Sequence, residues 1–477
     1  MTSTSQRSKA AAAACLAVLA ALPGTIATPF AYNPFTTNEC ATSSLSHSSP
    51  AFGGIAPGLD IANITYGELS YLITNASVAT STEQTFTSYG SETTTSNAEQ
   101  VSMRKRTLEE SNTDLQKLEQ FFGSSMEVNV KNLASTAAYY VLPWPSSYWA
   151  VYQDGINYQW SSNGEPSASE KYATAFGLDA TAFMTTISES TGILSEKSLR
   201  SSCSSDSDCS SLNDGSACAI RTGEQQGYCI PTWFGICHAW APAALLEPEP
   251  RCAVEKNGVT FQPMDIKALL SEVYDGANLG TVFTGVRFYG SDSDATTDQY
   301  GRYTDSSRRD IGPGFLHVAL ANVLGRFNSS VVVDVTGGAE VWNQPVYSYE
   351  VLTQTELTPT EAATQYYGQS VYPFNSAAER IMYTETSITW MVEAYEDGGL
   401  VASGKAESYT KSDTYTYLLE LDNDYNILGG EWVGDSNADH PDFLWLPKAR
   451  PDLSTVTDVG LSYQNVRDLL DQAANCA

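Results

Sequence analysis

Apolar residues recur at helical spacing early in the chain, where Leu115, Leu118, Phe121 and Phe122 predict a helix within Leu108 to Phe122. Ser111 to Asp114 supply cap-like residues near its start. Two further helices are expected, over Ser167 to Phe176 and from Ala180 to Ser188, with aromatic loops such as Tyr148-Trp149 before them. At Gly312-Pro313-Gly314 a turn leads into the apolar run Phe315 to Leu320, and Val331 to Val335 reads as a strand by its β-branched content. Beyond Ser387 polar and apolar positions alternate, as in Ile388 to Glu393 and Tyr415 to Leu421, with Glu396-Asp397-Gly398-Gly399 as a hairpin turn. An amphipathic helix from Val466 to Ala474 closes the pattern. The sum is an α+β chain: a mainly helical region over 107–200, then an antiparallel, β-rich part over 347–477.

The N-terminus adds a route out of the cell. Arg7 and Lys9 precede an apolar stretch from Ala10 to Leu22 and small residues around Ala27, the layout of a cleaved signal peptide over 1–27. That stretch is too short to span a membrane, and nothing later resembles a span. Residues 28 to about 102 are rich in Ser, Thr, Ala and Asn and end at Arg104-Lys105-Arg106, so a propeptide over 28–106 is expected, released at the tribasic cluster. Asn63, Asn75 and Asn328 stand in glycosylation triplets, which suits a secreted, extracellular product. With 25 basic against 55 acidic residues and a net charge of −30, nucleic acid and anionic membranes are poor partners.

Processing changes the cysteine count. Without Cys15 and Cys40, seven remain: Cys203, Cys209, Cys218, Cys229, Cys237, Cys252 and Cys476. Seven is odd, so at least one thiol stays unpaired. The first four lie close together in polar, Gly-containing sequence, which reads as a loop stapled by two disulfides at the head of a catalytic region over 201–346. Cys203–Cys218 with Cys209–Cys229 is the expected pairing among three possible ones; zinc is the rival, weakened by the lack of histidine in the cluster. If Cys252 and Cys476 pair, Cys237 is left over.

A free thiol becomes a nucleophile when a base and an orienting group serve it. Cys237 precedes Ala239 to Leu246, a helix that Pro242 requires to start close to the cysteine, where the helix dipole favours thiolate. His238 is its chain neighbour and points elsewhere. His317 is the expected base and Asp334 its partner, because a hairpin turning at Gly325-Arg326 would set the two opposite each other. A carboxylate inside the valine run needs such a partner. His440 is the fallback base.

Several longer motifs carry a family resemblance. Val341-Trp342-Asn343-Gln344-Pro345-Val346, Cys237 to Pro242, Tyr300 to Tyr303 through Gly314, and Gly429-Gly430-Glu431-Trp432 through His440 to Trp445 are similar to the secreted transglutaminase elicitors of oomycetes. The resemblance covers about residues 107 to 470. It implies a papain-like cysteine catalytic core and a calcium-dependent protein-glutamine γ-glutamyltransferase, in which Cys237 forms a thioester on glutamine and passes the acyl group to a lysine amine. It also implies a plant immune receptor that reads the Val341 to Val346 segment. The family's pattern continues with Arg, Gly, Phe, Lys, whereas Tyr347-Ser348-Tyr349-Glu350 follow here.

For calcium, oxygen-rich clusters are sought. Asp292, Asp294 and Asp298 form one, and Asp422, Asp424 and Asn426 the other. Two rival functions share these residues: a papain-like cysteine protease, which has the same nucleophile and thioester, and a catalytically silent elicitor. Incorporation of a labelled amine separates the three.

Overall fold

A computed structural model of the chain describes residues 113–161, 164–277, 279–285, 287, 295–304, 308, 309, 311–338 and 340–476. The expected signal peptide, propeptide and tribasic cluster lie outside the described residues, as do Asn63, Asn75, Asp292 and Asp294.

Helix α1, Thr113–Phe122, buries Leu115 and Leu118, as their spacing requires. Strand β1 is Thr136–Ala138. Helix α2, Ala168–Ala175, starts after Ser167, whose hydroxyl accepts from the Glu170 amide. Helix α3, Ala180–Thr191, starts after Asp179, which accepts from the Ala182 amide at 2.9 Å. Each cap satisfies a first-turn N–H that the helix cannot. A small antiparallel sheet follows, of β2 (Ser202–Cys203), β3 (Ser216–Ala219) and β4 (Gly227–Pro231) in the order β2-β4-β3. Cys203–Cys218 and Cys209–Cys229 staple it, so its sulfurs are spent on each other and zinc has no ligands there.

Helix α4 is Cys237–Leu246. The short pair β5 (Val254–Lys256) and β6 (Val259–Phe261) leads into α5, Pro263–Gly276, then β7, Thr281–Gly285. Helix α6, Pro313–Leu320, continues as one π-helical turn over Ala321–Arg326. The remaining elements are β8 (Val332–Asp334), β9 (Asn343–Leu357), α7 (Pro359–Tyr367), β10 (Arg380–Met391), β11 (Thr410–Leu421), β12 (Ile427–Trp432), β13 (Phe443–Pro447) and α8 (Tyr463–Ala474). Cys252–Cys476 ties the chain end to the segment before β5.

The main sheet runs β12-β11-β10-β9-β8-β13-β7, with β1 added beside β9, and every pairing is antiparallel. With its flanking helices this is the α+β fold that the sequence pattern predicts. Helix α6 lies on the sheet through glycine: a Cβ on Gly314 would meet the Gly429 carbonyl oxygen at 2.5 Å, and one on Gly430 the Gly314 amide nitrogen at 3.1 Å. Two large apolar cores result, beside smaller clusters. One joins Leu115 of α1 to Cys237, Trp342 and Trp445, and the other joins Tyr172 of α2 to Trp240, Leu269 and Leu470. The N-terminal helices therefore share their cores with the later elements. No helix among the described residues is long and apolar enough to cross a membrane.

Two local expectations fail. The run Phe315 to Leu320 is a helix, because Pro313 occupies the first turn and a short apolar run fits either structure by periodicity alone. The hairpin at Gly325-Arg326 therefore does not form, and the partner of Asp334 in the ladder is Asn343, not His317. Glu396 to Gly399 is likewise part of a wider connection between β10 and β11 that includes a 3-10 helix at Lys405–Tyr409.

Candidate active site

Cys237 is the free cysteine among the described residues. It is the first residue of α4, so its backbone N–H is among those the helix leaves unused. The side chain is 2% exposed and rests against the start of β9. Its sulfur lies 3.7 Å from the Val341 carbonyl oxygen and 3.6 Å from Asn343 Nδ2. Trp445 of β13 donates its indole N–H to Asn343 Oδ1 at 2.8 Å.

Asp334 stands opposite Asn343, on the adjoining strand. Its Oδ1 accepts from the Trp342 amide at 2.9 Å and from the Thr336 hydroxyl at 3.0 Å, while Oδ2 is buried without a partner. Burial holds this carboxyl up to about 7, against the pull of the Trp342 amide. Burial also pushes the Cys237 thiol up to about 12; Asn343 pulls it back, and the charges of Glu393 and Asp334 push it further up. Glu393 in turn accepts from Gln344 Nε2 at 2.7 Å. The resting thiol is therefore neutral and covered.

The structure thus brings Cys237 and Asp334 to one place and leaves the histidines in others. His317 Nδ1 is bonded to the Tyr417 hydroxyl of β11 at 2.7 Å, and β10 separates that strand from β9. No hydrogen bond joins His317 to Asp334 or to Cys237. His238 Nε2 pairs with Asp275 at 2.9 Å, away from the neighbouring sulfur. His440 Nδ1 donates to the Ser436 carbonyl at 2.7 Å, and its ring stacks on Trp432. Burial lowers His317 and His440 to about 4, so both are neutral near pH 7.

Val341, Trp342, Asn343, Gln344, Pro345 and Val346 are all buried and form one wall of this site. The family signature that matches the chain is that of the transglutaminase elicitor, over residues 114–476. The chain belongs to the transglutaminase elicitor family. The crystal structure of the GP42 transglutaminase from Phytophthora sojae is similar to this chain at 52% identity and a TM-score of 0.70, covering 77% of this chain and 99% of that chain. No curated protein matches it.

In this transglutaminase elicitor, sequence reasoning missed Asn343 and Trp445. The signal was present: Asn343-Gln344 is a polar pair inside an apolar motif, and a buried polar pair needs partners.

Of the residues expected to hold calcium, Asp298, Asp422, Asp424 and Asn426 are described, and the carboxylates of Asp298 and Asp422 are engaged within their own turns. Asp298 Oδ1 accepts from the amides of Tyr300 and Arg302, and Oδ2 pairs with the Arg302 guanidinium at 2.8 Å. Asp422 Oδ1 accepts from the amides of Asp424 and Asn426, and Oδ2 from the Asn426 side chain. These carboxylates close their own turns. Among the described residues no three carboxylates converge as a cage would require.

Proposed function

We propose that this secreted chain is a protein-glutamine γ-glutamyltransferase whose nucleophile is Cys237. The observation that supports the thiol is its position: an unpaired cysteine on the first residue of a helix, beside Asn343 and Asp334, in a chain whose other described cysteines are all in disulfides. A cysteine opening a helix that packs against an antiparallel sheet is also what supports a papain-like core.

The sulfur attacks the glutamine carboxamide carbon, an S–C bond forms, and collapse breaks the C–N bond as ammonia leaves with the thiol proton. The thioester then acylates a lysine amine, forming an isopeptide bond and restoring the thiol. Cys237 and Asp334 are the members of the expected triad that stand together. His317 enters the reaction only if substrate binding frees it from Tyr417. Calcium is assigned no step.

The test is incorporation of a labelled primary amine into a glutamine-bearing protein. The parent incorporates it, and Cys237→Ala does not. Peptide cleavage without incorporation would make the chain a cysteine protease instead. The name of the family supports a plant partner, and burial of Val341 to Val346 means that a receptor for this segment binds it only after it leaves the fold.

A further inference from the structure

Asn343 holds two bonds that fix its direction. An indole N–H donates and never accepts, so the oxygen of the Asn343 amide must face Trp445 and the nitrogen must face the sulfur. Both side chains are buried, and no solvent competes for either bond. Cys237 therefore faces an N–H donor held in one orientation across the gap from α4, and its own backbone N–H is one that the first turn of α4 leaves unused.

This arrangement rests on the transglutaminase reading and extends it. We propose that Asn343 is a catalytic residue: its Nδ2 donates to the oxyanion formed when the Cys237 sulfur adds to the glutamine carboxamide, and Trp445 is the positioning residue that aims it. When the S–C bond forms, the carbonyl π electrons move onto the oxygen of that carbon, two bonds from the sulfur. An oxyanion takes its donors at about 2.7–3.1 Å, and Asn343 Nδ2, 3.6 Å from the sulfur, is the side-chain N–H that stands beside the place where it forms. The charge returns to the carbonyl when ammonia departs, and forms again when the lysine amine adds to the thioester. The same N–H serves both steps. In the resting enzyme it faces sulfur, which keeps the amide in place before substrate arrives.

The experiment uses the whole chain and reads ammonia release in a single turnover, the KM for the glutamine donor, and the pH dependence of Cys237 alkylation. Removing one such donor costs about 100- to 1000-fold in rate. Asn343→Ala should lose that much in the acylation rate, with the donor KM within about threefold, and its alkylation midpoint should move to higher pH. Trp445→Phe keeps a ring in place and should lose roughly tenfold, because the freed amide rotates. An Asn343→Ala enzyme that folds and acylates within about fivefold of the parent overturns the proposal, as does a loss that falls wholly on KM. If Asn343→Ala does not fold, Trp445→Phe decides alone, and unchanged acylation there overturns it. Cys237→Ala run alongside keeps the two readings apart: amine incorporation by that variant would sink the nucleophile itself.

Discussion

Asp334 on β8 stands directly opposite Asn343 on β9, and the sulfur of Cys237 rests against the second of the pair. The carboxyl orders the loop between the strands through Trp342 and Thr336, and the amide meets the thiol. One cross-strand pair thus links the wall of the site to the buried thiol.

His317 offers the plainest choice between structure and chemistry. Its bond to Tyr417 is buried, so His317→Gln should lower stability by about 1–3 kcal/mol. Amine incorporation per folded molecule should stay within about tenfold of the parent. General-base catalysis contributes roughly 100- to 10,000-fold, so a loss of that size in folded protein would return His317 to the triad.

Stability should fall as pH rises through neutrality, up to about pH 8. A carboxyl whose pKa rises on folding stabilises the fold at low pH and loses that contribution as pH climbs through its folded value. Burial raises Asp334 and Glu420 to about 7, and Glu431 to about 8. His317 and His440, lowered to about 4, act in the opposite sense but only below their ordinary 6.5. From about pH 6.5 upward these carboxyls act without them, so Tm should drop between about pH 6.5 and 8 and level off beyond. Glu431→Gln should flatten the drop; a slope unchanged in that variant would refute the assignment.

Gly314→Ala tests the seat of α6. The added methyl would stand 2.5 Å from the Gly429 oxygen, which is backbone and cannot rotate away. Overpacking of this kind costs about 1–3 kcal/mol. Urea unfolding should show the midpoint moving down, and an unmoved midpoint would mean that α6 slides freely on β12.

Asp298→Asn and Asp422→Asn address calcium. Their oxygens serve turns, so each variant should lose some thermal stability while calorimetric titration with calcium gives the same heat as the parent. If the binding heat disappears in either variant, that turn is a calcium site.

Much of this was legible in sequence because it depends on local chemistry. Pro242 limits where α4 starts, the spacing of Leu115 and Leu118 marks α1, and the odd cysteine count singles out Cys237. His317 was misplaced because eight residues from Pro313 to Leu320 carry no period that separates helix from strand, and Pro313 decides it from the first turn. Asn343 and Trp445 come from strands about a hundred residues apart, and their bond exists only once β8 lies between β9 and β13. Long-range pairing of that kind has no local signature.

Three disulfides and one covered sulfur also say something about how long the enzyme lasts. Once folded, the described residues offer no exposed thiolate to start disulfide exchange. In air the Cys237 thiol is therefore guarded by the fold itself: every opening that admits a substrate also admits an oxidant, and the working life of that thiol is counted in openings.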